Sequence, residues 1–80
     1  MNKNDKFIKK LSRNERAILL ATLQQIERGH VMGLNIKKLK GYDNYFRVRK
    51  GKVRIIFNLD INGKIVVKQI GWRNDNTYNL

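Results

Sequence analysis

The segment Tyr45-Phe46-Arg47-Val48-Arg49-Lys50-Gly51-Lys52-Val53-Arg54-Ile55-Ile56-Phe57 places arginines at alternate positions. Residues two apart in an extended strand share a face. Arg47 and Arg49 therefore point one way, while Phe46 and Val48 point the other. A two-residue turn at Lys50-Gly51 sets Val48 opposite Val53 and Arg47 opposite Arg54. Like charges directly across a ladder are destabilising, so folding gives no reason for this arrangement; an anionic partner does. A guanidinium fork suits a pair of anionic oxygens. The chemistry open to such a face is anion binding and stabilisation of negative charge.

The whole composition points the same way. Eighty residues carry 18 Lys and Arg against 6 Asp and Glu, a net charge of +12. Residues 37–80 hold eleven of these cations, so the excess lies mainly in the C-terminal half. A density of this kind implies a polyanion. RNA, DNA, an acidic protein and an anionic membrane all fit, and the density favours nucleic acid. The chain has no cysteine and a single histidine, His30, and its acids are dispersed. It offers neither a disulfide framework nor a metal constellation. No apolar run approaches the ~20 residues of a membrane span, and Met1–Lys6 lacks the pattern of a signal peptide. The expectation is one cytoplasmic domain over residues 1–80 with no cofactor.

Two helices precede the basic segment. Ser12-Arg13-Asn14-Glu15 matches a capping box, and Leu19, Leu20, Leu23 and Ile26 follow at the spacing of a buried stripe. Gly29 is placed to stop that helix just beyond Arg28. A shorter helix over 5–10 would add Phe7, Ile8 and Leu11 to the same core. The residues from Gly33 to Gly41 read as a connector containing Lys37-Lys38-Leu39-Lys40. Three strands follow, near 44–49, 52–59 and 64–72. The Asn62-Gly63 pair suits a two-residue hairpin loop. That loop would put Val67, Gln69 and Arg73 on the Arg54 face, and leave Lys68 among core-facing Val66, Ile70 and Trp72. The fold class is α+β: an N-terminal helical hairpin packed on a small twisted antiparallel sheet of three or four strands.

At this point the residues resemble a family. Lys38-Leu39-Lys40-Gly41, Tyr45-Phe46-Arg47-Val48-Arg49, Val53-Arg54-Ile55-Ile56-Phe57 and Ile70-Gly71-Trp72-Arg73, ending in Tyr78, look like the RelE/ParE superfamily of toxins from type II toxin–antitoxin systems. The resemblance covers residues 37–78 in detail, and the helical hairpin agrees in architecture. It implies a toxin held inactive by a cognate antitoxin protein. RelE-like members are endoribonucleases that cut mRNA in the ribosomal A site; ParE-like members poison DNA gyrase. By matched position, the resemblance implies a catalytic set of Arg47, Arg49, Arg54, Arg73 and Tyr78. Lys37, Lys38, Lys40, Lys52 and Trp72 would bind RNA around it.

Metal-free RNA cleavage uses the substrate's 2′-hydroxyl as nucleophile on the adjacent phosphate. The enzyme must then stabilise a highly anionic transition state and move a proton. Preorganised arginines suit the first task, and a tyrosine can stack on a base or move a proton. Arg47 and Arg49 replace lysines of RelE, and an arginine is no general base. Tyr78 takes that role in the expectation, at a spacing from Arg73 one residue longer than in RelE. The family's first strand has no counterpart in Met1–Lys6. Two other functions stay open: a ParE-like gyrase inhibitor, and an RNA-binding module or degenerate toxin that does not cut. The arginines could also be a solvated sheet face, and Tyr78 and Trp72 packed aromatics.

Overall fold

A computed structural model describes residues 3–74. Its elements run α1 (Lys3–Lys10), α2 (Arg13–Glu27), β1 (Asn35–Lys38), β2 (Tyr45–Lys50), β3 (Val53–Leu59) and β4 (Ile65–Trp72). The helices form where the sequence places them. The Ser12 hydroxyl accepts from Glu15 N–H at 3.1 Å, and Ser12 N–H donates to Glu15 Oε1 at 2.9 Å. Both halves of the capping box are thus made. At the other end Gly29 takes φ +75°. His30 N–H donates to Gln25 O and Gly29 N–H to Ile26 O. This double bond pattern closes the helix as a Schellman motif, satisfying carbonyls that would otherwise be orphaned.

The buried stripe of α2 is Leu19, Thr22 and Ile26, with Leu23 at its margin. Leu20, expected in the stripe, is 60% exposed. It sits about 100° round the helix from Leu19, and Thr22 takes the buried place instead. The Thr22 hydroxyl is satisfied by the Ile18 carbonyl at 2.7 Å, which lets a polar side chain enter the core. Leu11 closes the junction between the helices and is 2% exposed. These residues pack on Val48, Val53, Ile55, Phe57 and Ile70 from the sheet.

All four strands are antiparallel, in the order β1-β2-β3-β4. The segment read as a connector contains β1. Its sequence, Asn35-Ile36-Lys37-Lys38, has one apolar residue, so alternation gave no signal. Lysines suit an edge strand because they discourage further pairing. The β2–β3 loop is Gly51-Lys52, one residue later than expected, with Gly51 at φ +59°. Glycine at the first loop position is the type II′ requirement. Arg54 therefore faces Arg49, not Arg47, and Arg47 faces Ile56. A shift of two in partner numbering leaves the faces unchanged.

The β3–β4 connection also departs from expectation. Gly63 has φ +78° and Asn62 does not share the positive φ of a type I′ turn. The loop has three residues, Ile61 to Gly63, closed by Asp60 N–H to Lys64 O at 2.9 Å. Asp60 Oδ1 holds it by accepting from the Asn62 and Lys64 N–H groups, both at 2.8 Å. The extra loop residue shifts the near end of the hairpin by one. A bulge between Ile56 and Phe57 on β3, with Lys68 left out on β4, shifts it back. Val67 and Ile65 consequently pack on the core, Val66 does not, and Lys68 is exposed. Beyond the bulge, Ile56 faces Gln69 and Arg54 faces Gly71, as the two-residue loop had required.

The outer edge of β4 is met by α1. Ile70 N–H donates to Asn4 Oδ1 at 3.0 Å, and Asn4 Nδ2 donates to Lys68 O at 3.4 Å. One side-chain amide thus supplies the donor and acceptor that a neighbouring strand would present. Among the described residues no helix is long and apolar enough to cross a membrane.

Candidate functional site

Strand register assembles one polar face from four strands, on the side opposite the helices. β2 contributes Tyr45, Arg47 and Arg49. Across from them β1 places Lys37 opposite Arg47 and Asn35 opposite Arg49. On the other side β3 places Arg54 opposite Arg49, Ile56 opposite Arg47 and Asn58 opposite Tyr45. β4 adds Gln69 and Gly71. Arg73 continues this rung, its N–H donating to Lys52 O at 2.8 Å just past the strand.

The cations of this face differ in access. Arg54 is 1% exposed and Arg47 6%. Arg49 is half-buried, and Lys37 and Arg73 are exposed. Arg54 Nη2 donates to Gln69 Oε1 at 2.9 Å. Its guanidinium also lies over Gly71, where a Cβ would come within 3.5 Å of Nη2. That is ordinary contact distance, so only a side chain longer than alanine at position 71 would compete for the space that Arg54 uses. Arg49 Nε is buried with no hydrogen-bond acceptor among the described residues, and so is Asn58 Oδ1 with no donor. Buried polar atoms are normally satisfied; Nε itself is closed off, so the exposure of half-buried Arg49 comes from its other atoms. Arg47 and Arg54 are thus the buried charges of this face, and Arg49, Arg73 and Lys37 are the ones that solvent reaches.

Four residues expected around the site stand elsewhere. Trp72 belongs to the helix-side face, where its ring meets Phe7 edge-on, with centroids 4.8 Å apart. Lys38 shares that parity, opposite Phe46, and is exposed at the sheet edge. Lys52 lies in the β2–β3 loop, where its charge bears on Glu15 at the start of α2. Lys40 is exposed in the loop after β1. Tyr78 lies outside the described residues. Conversely, Tyr45, to which no site role was assigned, lies on the arginine face, and its ring is 5.7 Å from that of Tyr42. Its odd number, two before Arg47, was the signal available. Gln69 was placed correctly on this face by register, but nothing in the sequence marked it as the partner of Arg54.

No protein-family model matches the chain. Toxin RelE3 of Methanocaldococcus jannaschii is 47% identical over 34 residues, which is 42% of this chain and 36% of that protein. The match thus spans only about a third of that relative's length. Among solved structures, a chain of the RelB–RelE antitoxin–toxin complex from Methanococcus jannaschii aligns with a TM-score of 0.74 and 24% identity. That alignment covers 91% of this chain and 87% of the other. The fold is RelE-like. Its helical hairpin and antiparallel sheet form the α+β RelE-like fold, and the local sequence match agrees with that placement. The RelE-like sheet here begins after the helices: residues 3–10 form α1, and Asn4 occupies the β4 edge.

Proposed function

We propose that this RelE-like chain is the toxin of a toxin–antitoxin pair and an endoribonuclease that cuts mRNA on the ribosome. The observation that carries the reading is the arginine face. Arg49 opposes Arg54 across the ladder, an arrangement that costs stability unless an anion lies between them. A scissile phosphate is such an anion, and arginine forks match its oxygens. In this reading Arg49 and Arg73 contact the phosphate. Arg54, held by Gln69, and Arg47 add positive potential from behind, where burial strengthens their effect.

The substrate's 2′-hydroxyl attacks the adjacent phosphorus, the bond to the 5′-oxygen breaks, and a 2′,3′-cyclic phosphate forms. A proton leaves the 2′-oxygen and one is delivered to the departing 5′-oxygen. No arginine performs the first transfer. The phenols of Tyr78 and Tyr45 are the proton-handling groups of the proposal. The partners are a cognate antitoxin, which masks the basic face, and the ribosome, which presents the mRNA.

The test is induction of the chain in a bacterial host, with growth and mRNA ends followed by primer extension. Expected are growth arrest and new 5′ ends within translated mRNA, both lost in Arg49→Ala and Arg73→Ala proteins that remain folded. Full toxicity in both variants overturns the site assignment. Arrest without new mRNA ends, together with loss of DNA supercoiling activity, would identify a ParE-like gyrase inhibitor instead.

A further inference from the structure

A second basic surface borders the arginine face. Lys3, Lys6 and Lys10 of α1 recur at the three- and four-residue spacing of one helix face. They line a groove of roughly 330 Å³ between α1 and β4. Phe7 and Trp72 form its aromatic wall, and Trp72 is 41% exposed. Among the described residues no acidic side chain lines it. The walls are tied together by the Asn4 bonds to Ile70 and Lys68, so the groove exists before any ligand arrives.

Its position gives it meaning. Gln69 and Gly71 line this groove and also hold and accommodate Arg54 on the other face. The groove thus begins where the arginine face ends, at the edge of β4. Lys3 to Lys10 extends about 10 Å along the helix axis. That is the length of roughly three nucleotides at ~3.4 Å each. Lysines along a track with an exposed aromatic ring are the combination that binds single strands, phosphate by charge and base by stacking.

We propose that this groove binds the continuation of the RNA strand engaged by the arginine face. Phosphates beyond the scissile one pair with Lys3, Lys6 and Lys10, and one base rests on Trp72. The inference builds on the ribonuclease reading and extends it to substrate outside the reacting nucleotides.

Trp72 is the only tryptophan in the chain, so its emission reports on the groove directly. The experiment compares fluorescein-labelled single-stranded RNAs of about 4 and about 12 nucleotides by anisotropy across a salt series, with Trp72 emission followed alongside. The proteins are wild type and the Lys3→Gln/Lys6→Gln/Lys10→Gln variant, whose replaced side chains are all exposed. Wild type is expected to bind the longer RNA more tightly and to change Trp72 emission on doing so. The variant should lose at least tenfold for the longer RNA at low salt, and its log–log salt slope should fall by about 2, for three lost phosphate contacts at ~0.7 each. Its affinity for the short RNA should stay as in wild type.

Unchanged slope and emission in the variant, with wild type binding RNA, overturn the groove assignment and leave the ribonuclease reading standing. Failure of wild type to bind either RNA also overturns the groove assignment; the ribonuclease reading is decided separately, by the mRNA ends of the induction test. Weakened binding of poly-glutamate with unchanged RNA binding assigns the groove to an acidic protein and also overturns the proposal.

Discussion

Arg54 Nη2 donates to Gln69 Oε1 at 2.9 Å, tying a buried cation of β3 to the neighbouring edge strand. The bond fixes where the charge of Arg54 sits, and the bare Cα of Gly71 leaves room for it. Removing the acceptor should cost about 2 kcal/mol, the range for a hydrogen bond to a charged group. Denaturant unfolding of Gln69→Ala checks this. A Gln69→Glu protein should recover the loss, and a change below ~0.5 kcal/mol in Gln69→Ala would show the bond to be incidental.

Gly71 distinguishes small from large replacements. An alanine methyl would sit at ordinary contact distance from Arg54, so Gly71→Ala should fold and arrest growth like wild type. Gly71→Leu fills the space over which the guanidinium lies and should abolish toxicity. Equal toxicity of the two variants would mean that Arg54 is not needed in its present place.

Arg49 sits where it costs stability. It faces Arg54 directly and carries a buried Nε without an acceptor among the described residues. Arg49→Met should therefore raise stability by up to ~1 kcal/mol while removing growth arrest. Thermal unfolding with and without inorganic phosphate gives a second arm. Phosphate should raise the midpoint of wild type more than that of the variant.

The capping box predicts a pH dependence. The Glu15 carboxyl is held below its ordinary value of 4.5 by hydrogen bonds from Ser12, the backbone N–H first and then the hydroxyl, opposed by burial and aided last by the charge of Lys52. A lowered folded-state value means that this contribution is fully present above the ordinary value. It disappears as pH falls through the folded value. The stability gap between wild type and Glu15→Gln should thus be constant near neutrality and close in acid. Ser12→Ala should cost ~1 kcal/mol at neutral pH. A gap independent of pH would mean that the carboxylate charge is irrelevant to the cap.

Tyr45 shares the arginine face with Arg47 and Arg49 and is half-buried there. Tyr45→Phe and Tyr78→Phe separate the two phenols of the proposed proton transfer. The variant lacking the working phenol should retain RNA affinity and lose at least tenfold in cleavage rate. Loss in neither, with the double variant still cutting at the wild-type rate, would assign the proton to the substrate's surroundings on the ribosome.

Much of this protein was legible in the chain because its signals are local. Ser12 and Glu15 find each other within one helical turn, Gly29 ends the helix at its own residue, and alternation assigned Arg47 and Arg49 to one face, which any two-residue turn extends to Arg54. The resemblance to RelE rested on the same strands, and the fold agrees with it. Other features had no local signal. β1 is a strand because β2 offers it a ladder, not because Asn35-Ile36-Lys37-Lys38 prefers one. The three-residue loop at Asp60 and the bulge at Lys68 each shift register by one, and only their cancellation returns Gly71 to Arg54. Sequence determined which residues could share a face. Tertiary structure decided which of them meet, because pairing, bulges and the burial of Arg54 beside Gln69 depend on neighbours distant in the chain.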